Sequence, residues 1–164
     1  TSFHWANGEG VTGCPSGNCA TNVVALGNPI LWWIGIGALM LVVWGTFYYR
    51  NWRAGVILTG YLALYVPWLG YAHRTIFTFY TVAFAPFVAL AVAWMIGLLA
   101  GAVAPDGQPT VLPMPRRTEI TGRVMAVGLT LAILACALWF LPLWRADVVD
   151  YDFWRAHMWL PTWI

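Results

Sequence analysis

The chain has 164 residues, of which 61% are hydrophobic and 9% are charged, and its formal net charge at pH 7 is +2. This composition is far from that of an ordinary soluble domain and predicts that lipid surrounds most of the chain. The few basic side chains do not indicate nucleic-acid binding. The sequence thus predicts a membrane protein, with no nucleic acid among its partners.

Residues 1–28 form a polar, glycine-rich segment that contains two of the three cysteines. Cys14 and Cys19 flank a Pro/Gly turn that can bring two thiols within bridging distance, which favours a local disulfide in an oxidising compartment. A free or metal-bound pair is the alternative, although no second Cys or His pair completes a metal site. The chain begins at Thr1 without the basic region of a signal peptide, so we expect a piece of a longer polypeptide or a processed product.

Four runs without Asp, Glu, Lys or Arg follow, at about 29–48, 54–71, 75–103 and 124–144. Each run is long enough to cross about 30 Å of hydrocarbon at about 1.5 Å per helical residue. Because the runs are apolar all round rather than on one face, they indicate transmembrane helices. The predicted fold class is an all-α membrane protein with a four-helix transmembrane region over 29–144.

The arginines predict the orientation of these helices. Those in the first and third loops are Arg50, Arg53, Arg116, Arg117 and Arg123. By the positive-inside bias these two loops are cytoplasmic. We therefore expect residues 1–28, the short link around Arg74 and the interfacial tail 145–164 to be extracytoplasmic. This describes a multi-pass protein of the plasma membrane with both ends outside.

Arg74 is a charge on the side opposite to the prevailing bias, which makes it a functional candidate. Nearby hydrogen-bonding side chains are those of Tyr71, His73, Thr78 and Tyr80. A guanidinium group stays charged and can hold two phosphate oxygens at once, so the set predicts a lipid-phosphate site. An arginine that reaches lipid headgroups or pairs with a tail aspartate is the alternative, and His73 is also typical of a packing residue. These residues form neither a complete catalytic set nor a metal-ligand cluster.

Four groups of residues together carry a resemblance to a known family. They are Gly27-Asn28-Pro29 before Leu31-Trp32-Trp33, Tyr65-Val66-Pro67-Trp68, Arg74-Thr75-Ile76-Phe77-Thr78-Phe79-Tyr80, and Met158-Trp159-Leu160-Pro161-Thr162-Trp163-Ile164. In this order they resemble the C-terminal four-span region of protein O-mannosyltransferases, and the actinobacterial branch is the most similar. The resemblance covers essentially the whole chain.

The resemblance implies part of a GT-C type glycosyltransferase that transfers mannose from polyprenyl-phosphate-mannose to Ser or Thr of secreted proteins. The acidic catalytic residue of that family belongs to an N-terminal half, so no catalytic residue is expected in this chain. The implied partners are the membrane lipid donor, that N-terminal half and secreted acceptor proteins. No further cofactor and no metal is assigned. Arg74 matches the family's outward arginine, which implies that it stabilises the departing polyprenyl phosphate.

Two other classes of protein fit parts of the sequence. A four-span membrane thiol oxidoreductase would use Cys14 and Cys19, but it needs a second exchanging pair on the same side, and Cys136 stands alone within a span. A non-catalytic helix-packing module would need only the apolar runs. The N-terminal half, with an acidic residue in its first outer loop, distinguishes the transferase from both.

Overall fold

The structure, a computed structural model, describes residues 2–5, 12–14, 17–22, 26–70, 78–102 and 116–160. Most of these residues are helical, as the apolar runs predict. The chain divides into two units, which are described separately below. Unit 1 comprises residues 1–26 and 135–164, and unit 2 comprises residues 27–134.

Unit 2 is built from the apolar helices. They are α1 (Pro29–Phe47), α2 (Trp52–Leu69), α3 (Ala85–Leu99) and the first part of α4 (Arg116–Trp144). Among the described residues, α1 and the Thr118–Trp144 part of α4 are long and apolar enough to cross a membrane, and α3 is a shorter apolar helix. The apolar helices therefore support membrane character.

The third apolar run is divided, in contrast to the single helix expected over 75–103. A 3₁₀ helix spans Thr78–Ala83, and α3 begins only at Ala85. The reason is Pro86, which lacks a backbone N–H and clashes with the carbonyl four residues earlier when it lies inside a helix. In the first turn of a helix neither effect operates. Pro86 therefore lies in the first turn of α3, where a proline is tolerated.

Asparagine side chains mark where two of the helices begin. Asn28 accepts a hydrogen bond from the backbone N–H of Leu31 at 3.1 Å, and Pro29 follows it in the first turn of α1. Asn51 accepts from the N–H of Arg53 at 2.9 Å at the start of α2. An N-cap of this type satisfies a helix N–H that has no partner within the helix.

The helices of unit 2 approach closely because their contact faces carry small residues. A Cβ atom at Gly45 would lie 2.6 Å from Cη2 of Trp94, and one at Gly35 would lie 2.5 Å from Cγ1 of Val88. The buried core comprises Ala38, Val42, Ala54, Ile57, Leu58, Ala91, Val92 and Trp94. Close backbone approach through small residues is typical of helix pairs in membranes, where dispersion contacts replace the hydrophobic effect.

Unit 1 contains a small antiparallel sheet, so the predicted all-α fold is corrected to a mostly helical one. Its strands are β1 (Ser2–Trp5), β2 (Cys19–Asn22) and β3 (Val149–Asp150), in the order β1-β2-β3. His4 pairs with Ala20, and Ala20 pairs with Val149. The strands have two to four residues each, which is too short for an alternating pattern to be recognised in the sequence.

The C-terminal helix of unit 1, α5 (Tyr151–Ala156), follows the sheet directly. Trp154 packs in a small core with Ala20 and Leu143. His157, at the end of α5, is fully buried. Its two ring nitrogens lie 2.7 Å from the carbonyl oxygen of Phe153 and 2.9 Å from that of Trp139. The tail is therefore held by polar contacts as well as by apolar packing.

Candidate lipid-phosphate site

The phosphate-binding residues expected from the sequence fall in the link between α2 and α3. Tyr71, His73 and Arg74 lie outside the described residues, and so does the side chain of Tyr80. Their grouping around a phosphate stays a prediction. The structure describes the two ends of the link, which are Gly70 at the end of α2 and the 3₁₀ helix before α3.

Both ends of the link lie at the end of unit 2 where α1 begins. The short turn between α1 and α2 reverses the chain, so α2 runs back toward the start of α1. At the other end of the link, Phe84 precedes α3 and contacts Trp32 of α1, with 6.0 Å between ring centroids in an edge-on arrangement. The first turns of α1 and α3 and the last turns of α2 therefore surround the place where the link begins and ends.

An aromatic cluster fixes this end of unit 2. Phe84 is buried and contacts Tyr61 and Tyr65 edge-on, at centroid distances of 5.4 Å and 5.6 Å. The two tyrosine rings are stacked at 5.5 Å. Tyr61 and Tyr65 are four residues apart and therefore share a face of α2. Each ring carries a hydroxyl group that can donate a hydrogen bond; Tyr65 lies about one turn before the end of α2, and Tyr61 lies near its middle.

Sequence reasoning missed Tyr61 and used Tyr65 only as part of a resemblance. The signal was present, because two tyrosines at a spacing of four on an apolar helix put two hydroxyl groups on one face. The contact of Phe84 with both rings is not apparent from the sequence, because Phe84 lies beyond the link. The cluster thus joins α2, which precedes the link, to Phe84, which follows it.

Asn28 is a second polar residue at this end that sequence reasoning did not assign to the site. It is buried, and its Nδ2 donates a hydrogen bond to the carbonyl oxygen of Ile133 in α4 at 2.8 Å, while its Oδ1 caps α1. Both polar atoms of the amide are thereby used within the protein. Asn28 is a positioning residue that connects the start of α1 with α4.

The sequence around the link is free of negative charge. Residues 26–102 contain no Asp and no Glu, and their only charged side chains are Arg50, Arg53 and Arg74. A phosphate beside Arg74 would therefore meet no carboxylate from this part of the chain. In a medium of low dielectric constant the absence of like-charge repulsion favours binding of an anion.

The cysteines lie in unit 1. Cys14 and Cys19 form a disulfide with a Cα–Cα distance of 5.9 Å, and Cys19 is buried in the central strand of the sheet. Cys136 is a buried free thiol in α4. Over the described ranges no group of three or more His, Cys, Asp or Glu side chains is placed to hold a metal ion.

Three curated proteins similar to this chain carry the same name, polyprenol-phosphate-mannose–protein mannosyltransferase. The chain is 29% identical to the protein of Mycolicibacterium smegmatis and 26% identical to that of Mycobacterium tuberculosis, in both cases over 155 residues or 94% of the chain. It is 26% identical to the protein of Corynebacterium glutamicum over 147 residues, or 90% of the chain. The resemblance carried by the motifs is thereby confirmed.

The similarity covers a minor part of these relatives. The chain spans 28% of the length of the first two proteins and 26% of the third. No protein-family model matches the chain. No solved structure matches it either.

Proposed function

We propose that this chain is the C-terminal membrane module of a protein O-mannosyltransferase, and that it helps to bind the lipid-phosphate donor. The parent enzyme transfers mannose from polyprenyl-phosphate-mannose to Ser or Thr of secreted proteins. The observation that carries the proposal is the similarity of 94% of the chain to relatives named as mannosyltransferases of this donor. Because the chain spans 28% of their length, the remaining part of such an enzyme supplies the acidic catalytic residue.

The proposed module crosses the plasma membrane four times, with both ends outside the cytoplasm. The apolar helices and the sidedness of the arginines support this topology. In this arrangement the link around Arg74 faces the compartment in which secreted proteins receive mannose. The disulfide in unit 1 is consistent with that side, because disulfides persist in oxidising compartments.

Arg74 is the proposed phosphate ligand, assisted by Tyr71, His73 and Tyr80. When mannose leaves its lipid carrier, negative charge grows on the phosphate oxygens. A fixed guanidinium beside those oxygens stabilises the transition state more than the ground state, and such groups contribute directly to turnover. The aromatic cluster at Phe84 supports this role, because it gives the link a rigid boundary.

The thiol oxidoreductase alternative gains no support from the cysteines. Cys14 and Cys19 are joined in a disulfide, and Cys136 is the third and last cysteine of the sequence and is buried. A second exchanging pair is therefore absent from this chain. A helix-packing role without catalysis differs from our proposal in one respect, which is that it requires no phosphate at Arg74.

Substitution of Arg74 in an intact mannosyltransferase containing this chain tests the proposal. We expect Arg74→Ala to lower turnover by about 10²- to 10³-fold, the usual effect of removing one donor to a developing oxyanion. Arg74→Lys should be intermediate, because lysine keeps the charge but cannot hold two oxygens at once. Initial rates of mannose transfer and equilibrium binding of the donor lipid are measured in parallel.

The matched control is Arg145→Ala. Arg145 is exposed, lies on the same predicted side of the membrane, and its Nε is 3.7 Å from Oδ2 of Asp147. Arg145→Ala changes the net charge by the same amount as Arg74→Ala, and it should leave the rate of mannose transfer and the binding of the donor lipid nearly unchanged. Unchanged turnover and donor binding in Arg74→Ala, or an equal loss in the control, would contradict the proposed role.

A further inference from the structure

A cavity lined by a cationic side chain lies in unit 2, at the turn between α1 and α2. The cavity has a volume of about 500 Å³ and opens onto the surface of the protein. Its lining residues are Thr46, Phe47, Arg50, Asn51, Trp52 and Gly55. The turn connects the end of α1 to the start of α2, whereas the link around Arg74 follows the end of α2. This cavity is therefore distinct from the proposed mannosyl-phosphate site.

The positive charge at this cavity is not neutralised within the described part of unit 2. Arg50 lines the cavity, and Arg53 follows one residue after Trp52. Residues 26–102 contain no carboxylate, and Glu119, the one acidic residue among 116–134, pairs with Arg123. Neither Arg50 nor Arg53 forms a salt bridge with any described residue. Two guanidinium groups that have no carboxylate partner among the described residues thus favour an anionic ligand.

The backbone conformation at Arg50 is unfavourable for an arginine. Arg50 has φ 52°, in the left-handed region that normally favours glycine or asparagine. A residue with a Cβ atom is held there at a cost of about 1–2 kcal/mol. A cation kept at a position where glycine would be less strained suggests that its charge has a use.

Aromatic side chains place the cavity at a membrane surface. Phe47 and Trp52 line it and expose 75% and 71% of their surfaces. The guanidinium carbon of Arg53 lies 5.7 Å from the centre of the Trp52 ring, so this charge is held beside the aromatic face. Exposed aromatic rings at the end of an apolar helix are typical of the boundary between hydrocarbon and headgroups. At that depth the phosphates of lipids are the most abundant anions.

We propose that this cavity binds the phosphate of an anionic phospholipid headgroup, with Arg50 as its principal ligand. Arg50 supplies the forked donors that match phosphate geometry, whereas the hydroxyl group of Thr46 donates to the carbonyl oxygen of Val42 at 2.8 Å and is not a ligand. Phe47 and Trp52 contact the glycerol and the first acyl carbons. The proposal holds whichever face of the membrane the turn occupies, and it is independent of mannose transfer.

Equilibrium binding of single lipids to the 164-residue chain in a neutral detergent tests the proposal. Native mass spectrometry counts bound lipid while dioleoyl phosphatidylglycerol, dioleoyl phosphatidylcholine or inorganic phosphate is titrated. We expect the anionic lipid to bind at least about tenfold more tightly than the zwitterionic one, because the quaternary ammonium group of phosphatidylcholine is repelled by Arg50 and Arg53. Inorganic phosphate should bind far more weakly, since it makes no contact with the aromatic walls.

Variants at the cavity separate a specific site from a general effect of charge. Arg50→Asn removes the cation without adding strain, because asparagine tolerates a positive φ, and it should abolish the preference for phosphatidylglycerol. Arg50→Lys should keep part of it. Arg123→Gln is the control, since it removes one positive charge from an exposed residue outside the cavity and should leave the preference intact. Circular dichroism verifies that each variant is folded.

Three outcomes would overturn the proposal. Arg50→Asn retains the full preference, or Arg123→Gln loses it equally, in which case net charge alone is responsible. In the third, inorganic phosphate binds as tightly as the lipid and displaces it, which would make the occupant a free anion instead of a headgroup. Loss of the preference in Arg50→Asn alone supports a phospholipid site.

Discussion

The two units of the chain are stabilised by different means. In unit 2, helices meet through glycine and alanine, and its described part contains one ion pair, between Glu119 and Arg123 at the outer surface of α4. In unit 1, a disulfide, a three-stranded sheet and a buried histidine that faces two backbone carbonyls hold a much smaller apolar core. Close packing suits a segment surrounded by lipid, where every backbone group is already satisfied within its helix. Covalent and polar contacts suit a small segment whose apolar core alone supplies too little free energy.

The largest effect is expected at Gly122, where α4 meets the backbone of α3. A Cβ atom at Gly122 of α4 would overlap the backbone carbonyl oxygen of Leu99, so the backbone itself must move to accommodate a side chain. Gly122→Ala should lower the free energy of unfolding by about 3 kcal/mol, the upper end for overpacking. Unfolding by sodium dodecyl sulfate in mixed micelles measures the change.

Gly128 on the same helix provides the control for this substitution. A Cβ atom there meets nothing within 4 Å. Gly128→Ala should leave the protein as stable as the wild type or raise the free energy of unfolding by up to about 1 kcal/mol, from helix propensity alone. Equal destabilisation by both substitutions would mean that the contact of Gly122 with Leu99 contributes nothing to the stability of unit 2.

A somewhat smaller effect is expected from the disulfide of unit 1. Replacing both Cys14 and Cys19 with alanine removes a short-loop crosslink, and the chain-entropy estimate for such a loop is about 2 kcal/mol. Amide hydrogen exchange should show loss of protection in β1 and β2, while α1 and α3 remain protected. Reduction of the wild type should give the same pattern.

The free cysteine serves as the control for the disulfide experiment. Cys136→Ala leaves the crosslink in place, so this variant should keep the protection of β1 and β2 and remain sensitive to reducing agent. If reduction instead increased exchange in α1 and α3 as well, the separate stabilisation of the two units would be disproved.

The smallest effect is expected at His157. Its ring stacks on Trp139 with 4.8 Å between centroids, and a ring N–H donates to one of the two backbone carbonyls that it faces. His157→Phe keeps the stacking but leaves that carbonyl without its donor, which costs about 1 kcal/mol. Thermal unfolding monitored by near-ultraviolet circular dichroism reports the change.

His4 is the matching histidine for comparison. It is exposed, bonds to Asn18 at 2.8 Å and stacks on Tyr151 at 4.3 Å. His4→Phe should change the free energy of unfolding by no more than about 0.5 kcal/mol, because water replaces the lost partner at the surface. A larger loss from His4→Phe than from His157→Phe would show that the buried contact is not what holds the tail.

The helices of unit 2 were more predictable than the sheet of unit 1. The runs that overlap α1, α2 and α4 contain no charge, so length and composition sufficed to indicate helices there, although α4 begins at Arg116, in the charged segment before its run. The start of α3 at Pro86 was harder to predict, because whether a proline bends a helix or begins one depends on the backbone before it. Strand β2 pairs with β3, which follows α4, and a contact between segments so distant along the chain leaves no local sequence pattern.

For the candidate site, the sequence was informative about charge and uninformative about its surroundings. Arg74 stood out because a lone arginine in an apolar region has few roles. The roles of Phe84, Tyr61 and Asn28 become apparent only in the folded chain, since Phe84 contacts Tyr61 across the link and Asn28 donates to Ile133 of α4. The cavity at Arg50 was likewise hidden, because the sequence explained that arginine completely by membrane orientation.

Photo-crosslinking of the donor lipid tests the central claim most directly. A polyprenyl phosphate with a diazirine next to the phosphate is irradiated with the membrane-embedded enzyme, and the labelled peptide is identified by mass spectrometry. Our account predicts labelling within residues 71–80, reduced about tenfold in Arg74→Ala, as expected for loss of a charged hydrogen bond. Labelling confined to the turn at Arg50, or undiminished in Arg74→Ala, would contradict it.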